Sequence, residues 1–149
     1  VSKRQTIYDT AKGVLEASTG INYVSVEIAE DPFAWKEDKF PAVRLIDGQE
    51  IKSRFCYMGS TDQLDMRSEF TLDFVGYVRE LNKSTTGLVD SRNDLLAEIE
   101  KKLVADSTLL GLVADITPND QVTDKGYLRG LGWVSGSFNI IYYYNHTAP

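Results

Sequence analysis

Apolar residues recur along this chain at two periods, and the switches between them mark out its elements. Ile7, Ala11, Val14, Leu15 and Ser18 share one face of a 3.6-residue repeat, with Lys3, Arg4, Asp9, Lys12 and Glu16 mainly on the others. Ser2 and Gln5 stand ahead of that repeat in capping-box spacing, and Gly20 offers a stop behind it, so a helix is predicted over 3–18. The period then drops to two. Val24, Val26 and Ile28 alternate with Ser25 and Glu27, the mark of a half-buried strand. Residues 29–40 keep no period and include Pro32, which predicts a long loop. Val43 and Leu45 flank Arg44 in a strand over 42–47, and Asp47-Gly48 reads as a hairpin turn. Residues 51–58 become the return arm, with Ile51, Phe55 and Tyr57 facing opposite to Lys52 and Arg54.

After a polar loop at 59–65 comes the clearest alternation in the chain. Phe70, Leu72, Phe74, Gly76 and Val78 face one way, and Arg67, Glu69, Thr71, Asp73, Val75, Tyr77 and Arg79 the other. The strand is long, which suggests a bend at Gly76 or an end projecting past the sheet. A Ser/Thr-rich connection at 82–87 precedes a second helix, capped at Asp90 or Ser91 and running to about Ala105 on an apolar stripe of Leu95, Leu96, Ile99 and Leu103. Residues 109–116 predict a short strand, Pro118-Asn119-Asp120 a turn, and 121–132 a short strand with a loop. The last strand spans 133–144, with Val134, Phe138, Ile140, Tyr142 and Tyr144 opposite Trp133, Ser135, Ser137, Asn139, Ile141 and Tyr143. Strands joined by short turns, with two principal helices, predict a single α+β domain: a mainly antiparallel sheet covered on one face. Phe70, Leu72, Phe74, Leu96, Ile99 and Leu103 are its predicted core.

Composition changes this picture little. The 149 residues are 42% hydrophobic and 26% charged, ordinary for a soluble folded domain. No apolar run is long enough to span a bilayer, and the basic start at Lys3-Arg4 lacks the apolar segment of a secretory signal. The sequence patterns Asn82-Lys83-Ser84 and Asn145-His146-Thr147 are then chance sequons. Charge says more. The net value is −6, and no basic run exceeds the Lys3-Arg4 and Lys101-Lys102 pairs, so a phosphate-gripping surface is not expected. An acidic surface suits nucleic acid passing without sticking.

Candidate chemistry is sparse. His146 stands alone in a polar tail, and Cys56 lies in a predicted strand with no partner histidine. Gly126, Gly130, Gly132 and Gly136 form no phosphate-cradling motif, and no Gly-x-Ser-x-Gly elbow presents a serine. The adjacent acids, including Glu37 and Asp38 or Asp62 and Asp65, match no calcium loop. No catalytic, metal or cofactor residue is therefore predicted, and the chain reads as an interaction protein. The aromatics carry that reading. Phe33 and Trp35 interrupt a charged loop, either as contact residues or folded back onto the sheet. Tyr142, Tyr143 and Tyr144 put rings on both faces of one strand, which leaves Tyr143 to a contact surface.

The chain resembles the tail terminator (tail completion) proteins of long-tailed bacteriophages. The likeness lies in the opening helix through Gly20-Ile21, the Phe40-Pro41-Ala42-Val43-Arg44-Leu45 strand and the Phe70-Thr71-Leu72-Asp73-Phe74 strand. It continues in the helix from Leu95 to Leu103 and the aromatic end, Phe138-Asn139-Ile140-Ile141-Tyr142-Tyr143-Tyr144. What the resemblance implies is a virion protein, assembled in the host cytoplasm, whose copies form a commonly hexameric ring. That ring would cap the head-proximal end of the tail tube protein, stop its polymerisation and offer a surface to the head-tail connector protein. DNA would pass through the lumen without specific binding, with Asp62 and Asp65, then Glu37 and Asp38, as candidate lumen acids. The competing readings are another neck or minor tail component, a non-viral binding module and an enzyme. A stable ring that binds tube ends separates the terminator from all three.

Overall fold

In a computed structural model, which describes all residues except 27–29, 55–65, 80–84, 107, 124–129, 146 and 148–149 and leaves aside the side chains of 85, 86 and 88, Ser2 caps the first helix. Its hydroxyl accepts from the Gln5 N–H at 3.2 Å, while the Gln5 amide turns forward to Asp9 instead of completing the capping box. This helix, α1, runs Lys3–Glu16 and buries Ile7, Ala11 and Leu15. It ends at Glu16, two residues before the predicted 18, with Ala17 as its C-cap, because Ser18 is drawn into the interior, where its hydroxyl donates to Glu98 at 2.6 Å. Gly20 is therefore not the stop.

Five strands form one sheet in the order β1-β2-β3-β5-β4. They are β1 Tyr23–Ser25, β2 Ala42–Arg54, β3 Met66–Arg79, β4 Asp115–Thr123 and β5 Leu131–Tyr144. All pairs are antiparallel except β1 with β2. The second helix, α2 (Thr85–Val104), crosses from β3 to β4, with β5 paired between those two strands. Both helices cover the same face, packing on Phe70, Leu72, Phe74, Val78, Phe138 and Ile140, so the fold class is α+β. Apolar burial on this face, worth roughly 25 cal/mol per Å², is what fixes helices to sheet. No described helix is long and apolar enough to cross a membrane.

Several local expectations fail for identifiable reasons. Asp47-Gly48 does not close a hairpin; β2 runs through it, and the 51–54 segment continues the same strand against β3. Asp47 pairs with Leu72 and Glu50 with Phe70, so Gly48 and Gln49 together oppose Thr71 alone. That is a β-bulge. Gly48 permits it by close approach: a Cβ there would lie 2.4 Å from the Thr71 carbonyl oxygen. The bulge reverses the strand's phase, so Ile51 points outward, 61% exposed, and Glu50 points inward. The predicted 55–58 end of that arm lies outside the described residues.

Gly76 does not bend β3, which pairs with β5 in unbroken register from Met66 to Arg79. It lets α2 come close, since a Cβ would meet Leu95 Cδ2 at 2.8 Å. Likewise α2 starts at Thr85 rather than at the predicted Asp90 or Ser91 cap. Its first half is docked through Arg92, whose aliphatic stem lies over Gly132 and overrides weak local propensity. Leu96, predicted as core, is only partly buried at the edge of the cluster. Residues 109–114 do not form a strand: Leu109, Leu110 and Gly111 take φ of 46°, 60° and 81°. Nor is 118–120 a free turn; it forms the irregularity inside β4 between Pro118 and Gln121, tolerated because β4 is an edge strand. The first strand is shorter than expected, with Val26 past its end and 27–29 outside the described residues.

Candidate interaction surface

The period-two strands send every second side chain of β3 and β5 away from the helices. Arg67, Glu69, Thr71, Asp73 and Val75 on β3, with Ser135, Ser137, Asn139, Ile141 and Tyr143 on β5, make a half-exposed face of mixed polarity. Three of its polar side chains are tied together. Asn139 Nδ2 donates to Glu69 Oε1 at 2.6 Å, and Arg67 Nη1 reaches Glu69 Oε2 at 3.2 Å. The Asn139 bond, then Arg67, holds the Glu69 carboxyl below the usual carboxylate range. Burial pushes Asp73 the other way, upward. Fixed donors, acceptors and intermittent apolar side chains on a rigid sheet suit a wet protein contact.

One end of this face is covered by the long connection between β1 and β2. Single 3₁₀ turns at Pro32–Ala34 and Glu37–Lys39 fold the chain back, and Trp35 inserts beside Tyr23, Phe40, Ala42, Tyr77 and Leu131. Trp35 is 7% exposed, with Tyr23 and Tyr77 meeting it edge-on at centroid distances of 5.2 and 5.6 Å. The expectation that Trp35 offers itself to a partner is therefore corrected: it belongs to the protein's own second apolar cluster. Phe33 remains outside at 54% exposure, on a turn capped by Asp31, whose carboxylate accepts from the Phe33 N–H at 2.9 Å. Glu37 and Asp38 are exposed on the same segment.

Charged residues that sequence reasoning passed over hold this connection in place. Arg44 is 8% exposed, its guanidinium 5.7 Å from the Trp35 ring centroid and 5.9 Å from that of Tyr77, and it donates to the Glu30 carbonyl. Glu30 in turn accepts from the Tyr23 hydroxyl at 2.9 Å and the Ser25 hydroxyl at 3.0 Å, and these bonds, Tyr23 foremost, hold its carboxyl low. Arg79 donates to the Trp35 carbonyl at 3.0 Å. The signal available beforehand was an arginine flanked by apolar strand residues, Val43-Arg44-Leu45, whose outward face had to meet something.

The predicted site residues do not converge. Tyr143 lies on the open face opposite Arg67, and its carbonyl accepts from Lys3 Nζ at 2.7 Å. The Trp35 cluster sits at Tyr77, ten residues along β3 and so about 33 Å away. Asp62 and Asp65 lie outside the described residues, as do Cys56 and His146. Among the described residues, no three His, Cys, Asp or Glu side chains gather to share a metal ion.

A second unforeseen cluster sits under the bulge. Glu50 accepts from the Ser68 hydroxyl at 2.5 Å, the Tyr142 hydroxyl at 2.6 Å and Arg4 Nη1 at 2.9 Å. Burial alone would raise the Glu50 carboxyl, but these three bonds outweigh it and hold the group below its usual range. Burial and the Glu50 bond push the Tyr142 phenol upward. A carboxylate whose oxygens are all engaged locks α1 to the sheet and is poorly placed to take a proton from anything else. No family model matches this sequence, and no curated protein matches it either.

Proposed function

We propose that this protein is a structural virion component whose copies form a ring that caps the head-proximal end of a phage tail tube. The observation that carries the reading is the sheet face turned away from both helices, half-exposed and of mixed polarity, with Phe33 held out at its covered end. Such a face offers contact area on a rigid scaffold, and a capping ring needs contacts to neighbouring copies, tube and connector. The α+β architecture and the aromatic last strand agree with what the resemblance to tail terminators implies, and the net charge of −6 suits a channel for DNA. Capping follows from asymmetry: one ring face receives the terminal tube subunits, while the other lacks the surface a further tube ring would need.

The test is mass in solution together with particle morphology. Light scattering should give a ring-sized oligomer, and particles made without the protein should carry tails of uncontrolled length. A monomer under all conditions, combined with normal tails in its absence, overturns the proposal.

A further inference from the structure

The sheet has two open strand edges, and they carry opposite charge. On one side no strand lies beyond β4, and every residue from Thr117 to Thr123 is exposed. On the other side β1 covers β2 only from Ala42 to Arg44, so among the described residues the far half of β2 has no outer strand. Tyr8 and Arg4 of α1 take the Leu45 and Gly48 carbonyls, which leaves the stretch beyond the bulge as the open part. There Ile51, Lys52, Ser53 and Arg54 are all exposed, on both faces of the strand. This β2 edge bears Lys52 and Arg54 and no acid, whereas β4 bears Asp115 and Asp120 and no base. Arg54 and Asp120 form no ion pair among the described residues, and Lys52 reaches only Glu50, at 3.9 Å, a carboxylate already held by Arg4, Ser68 and Tyr142.

Charges and bulges also serve to keep strand edges from pairing, but an edge built only to repel needs no complement elsewhere on the molecule. These two edges complement each other in three respects. Their charges are opposite, so β4 against β4, or β2 against β2, sets like charges together while β2 against β4 sets unlike charges together. Each adds one exposed β-branched side chain, Ile51 at 61% and Val122 at 57%, and both lie on the sheet face away from the helices, level with Glu69 and Ser135. Finally, β2 and β4 run in opposite directions, so a copy moved sideways with the same face outward brings its β2 antiparallel to β4. We infer that the Ile51–Arg54 edge of one copy extends the sheet of a second copy at β4, with Ile51 opposite Val122 and Lys52 and Arg54 about Asp120. Within one sheet Ile51 is level with Glu69 and Val122 with Val75, positions about 20 Å apart along β3. Five strands are about 24 Å wide, so copies joined this way slant their strands by about 40°, inside the roughly 35–45° at which strands close into a barrel. The inference rests on the ring reading and names the joint between its copies, a head-to-tail contact.

Charge reversal tests the joint. Both positions are exposed, so Arg54→Glu and Asp120→Arg should each melt within about 4 °C of wild type. Each sets like charges across the joint and should weaken self-association about tenfold, read by sedimentation of the full chain. Together the two reversals restore unlike charges in every head-to-tail contact, so the double variant should associate within about threefold of wild type. A contact between two β4 edges, or between two β2 edges, offers no such rescue. If a reversal unfolds the chain, Arg54→Gln and Asp120→Asn remove the charge without inverting it and should give a smaller loss in the same direction. Single variants as tight as wild type, or a double variant no tighter than the weaker single, overturn the joint and leave the ring reading standing. A wild-type chain that never self-associates overturns both.

Discussion

Glu50 shows how one carboxylate can hold two layers together. It links Arg4 of α1 to Ser68 of β3 and Tyr142 of β5, with its side chain 10% exposed. Glu50→Ala would leave two hydroxyls and a guanidinium short of an acceptor, and bonds to a charged group are worth about 1.5–3 kcal/mol. Urea unfolding should read a loss of that size. The pH dependence has a definite sign. Because the folded carboxyl titrates below its usual 4.5, its contribution is complete above that value and is lost as pH falls towards and through the folded one. Stability of the wild type should therefore drop in this acid window, and Glu50→Gln should drop less steeply. Equal slopes would show that Glu50 carries no such linkage.

At the scale of elements, the connection between β1 and β2 behaves as a clasp with one exposed tip. Trp35, Arg44 and Glu30 fasten it, while Phe33 stays outside. Trp35→Ala should cost about 3–5 kcal/mol in unfolding free energy, as for a large buried aromatic. Phe33→Ser should stay within about 0.5 kcal/mol of wild type, as surface changes do, and on the functional reading it should weaken assembly. A destabilised Phe33→Ser together with a neutral Trp35→Ala would invert this account. The stripe on α2 can be probed in the same way. Ile99 is fully buried against β3, so Ile99→Ala should cost about 2–5 kcal/mol by chemical denaturation, and a loss under about 0.5 kcal/mol would contradict the packing.

For the whole molecule, the acidic balance matters only once copies assemble. On the proposed reading, carboxylates outnumber basic groups along the channel, because a lysine- or arginine-rich wall would retain each passing phosphate. Glu37 and Asp38 are exposed acids on the described part of the chain and so can be tested directly. The assembled wild type should leave duplex DNA unshifted in a low-salt gel. Glu37→Lys with Asp38→Lys should create salt-sensitive binding if the pair lines the channel. Continued indifference to DNA would place both acids on the outer wall.

Periodicity alone determined α1, β3, β5 and the apolar stripe of α2, since a 3.6 or 2.0 repeat is a local property that needs no partner to be read. It also indicated that one sheet face would be covered and the other left over. Tertiary structure decided what local signals contradict. Asp47-Gly48 carries a turn signature, yet pairing with β3 on both sides makes it a bulge, because Gly48 can lie against the Thr71 backbone. Trp35 sits in a charged loop, yet Tyr23, Tyr77 and Arg44, distant in sequence, build it a pocket. Leu109 and Leu110 read as strand, yet Asp106 captures the N–H groups needed for a ladder and winds the chain left-handed. In each case the deciding partner is a residue or backbone segment whose position no periodic pattern encodes, so only the folded chain brings it within reach.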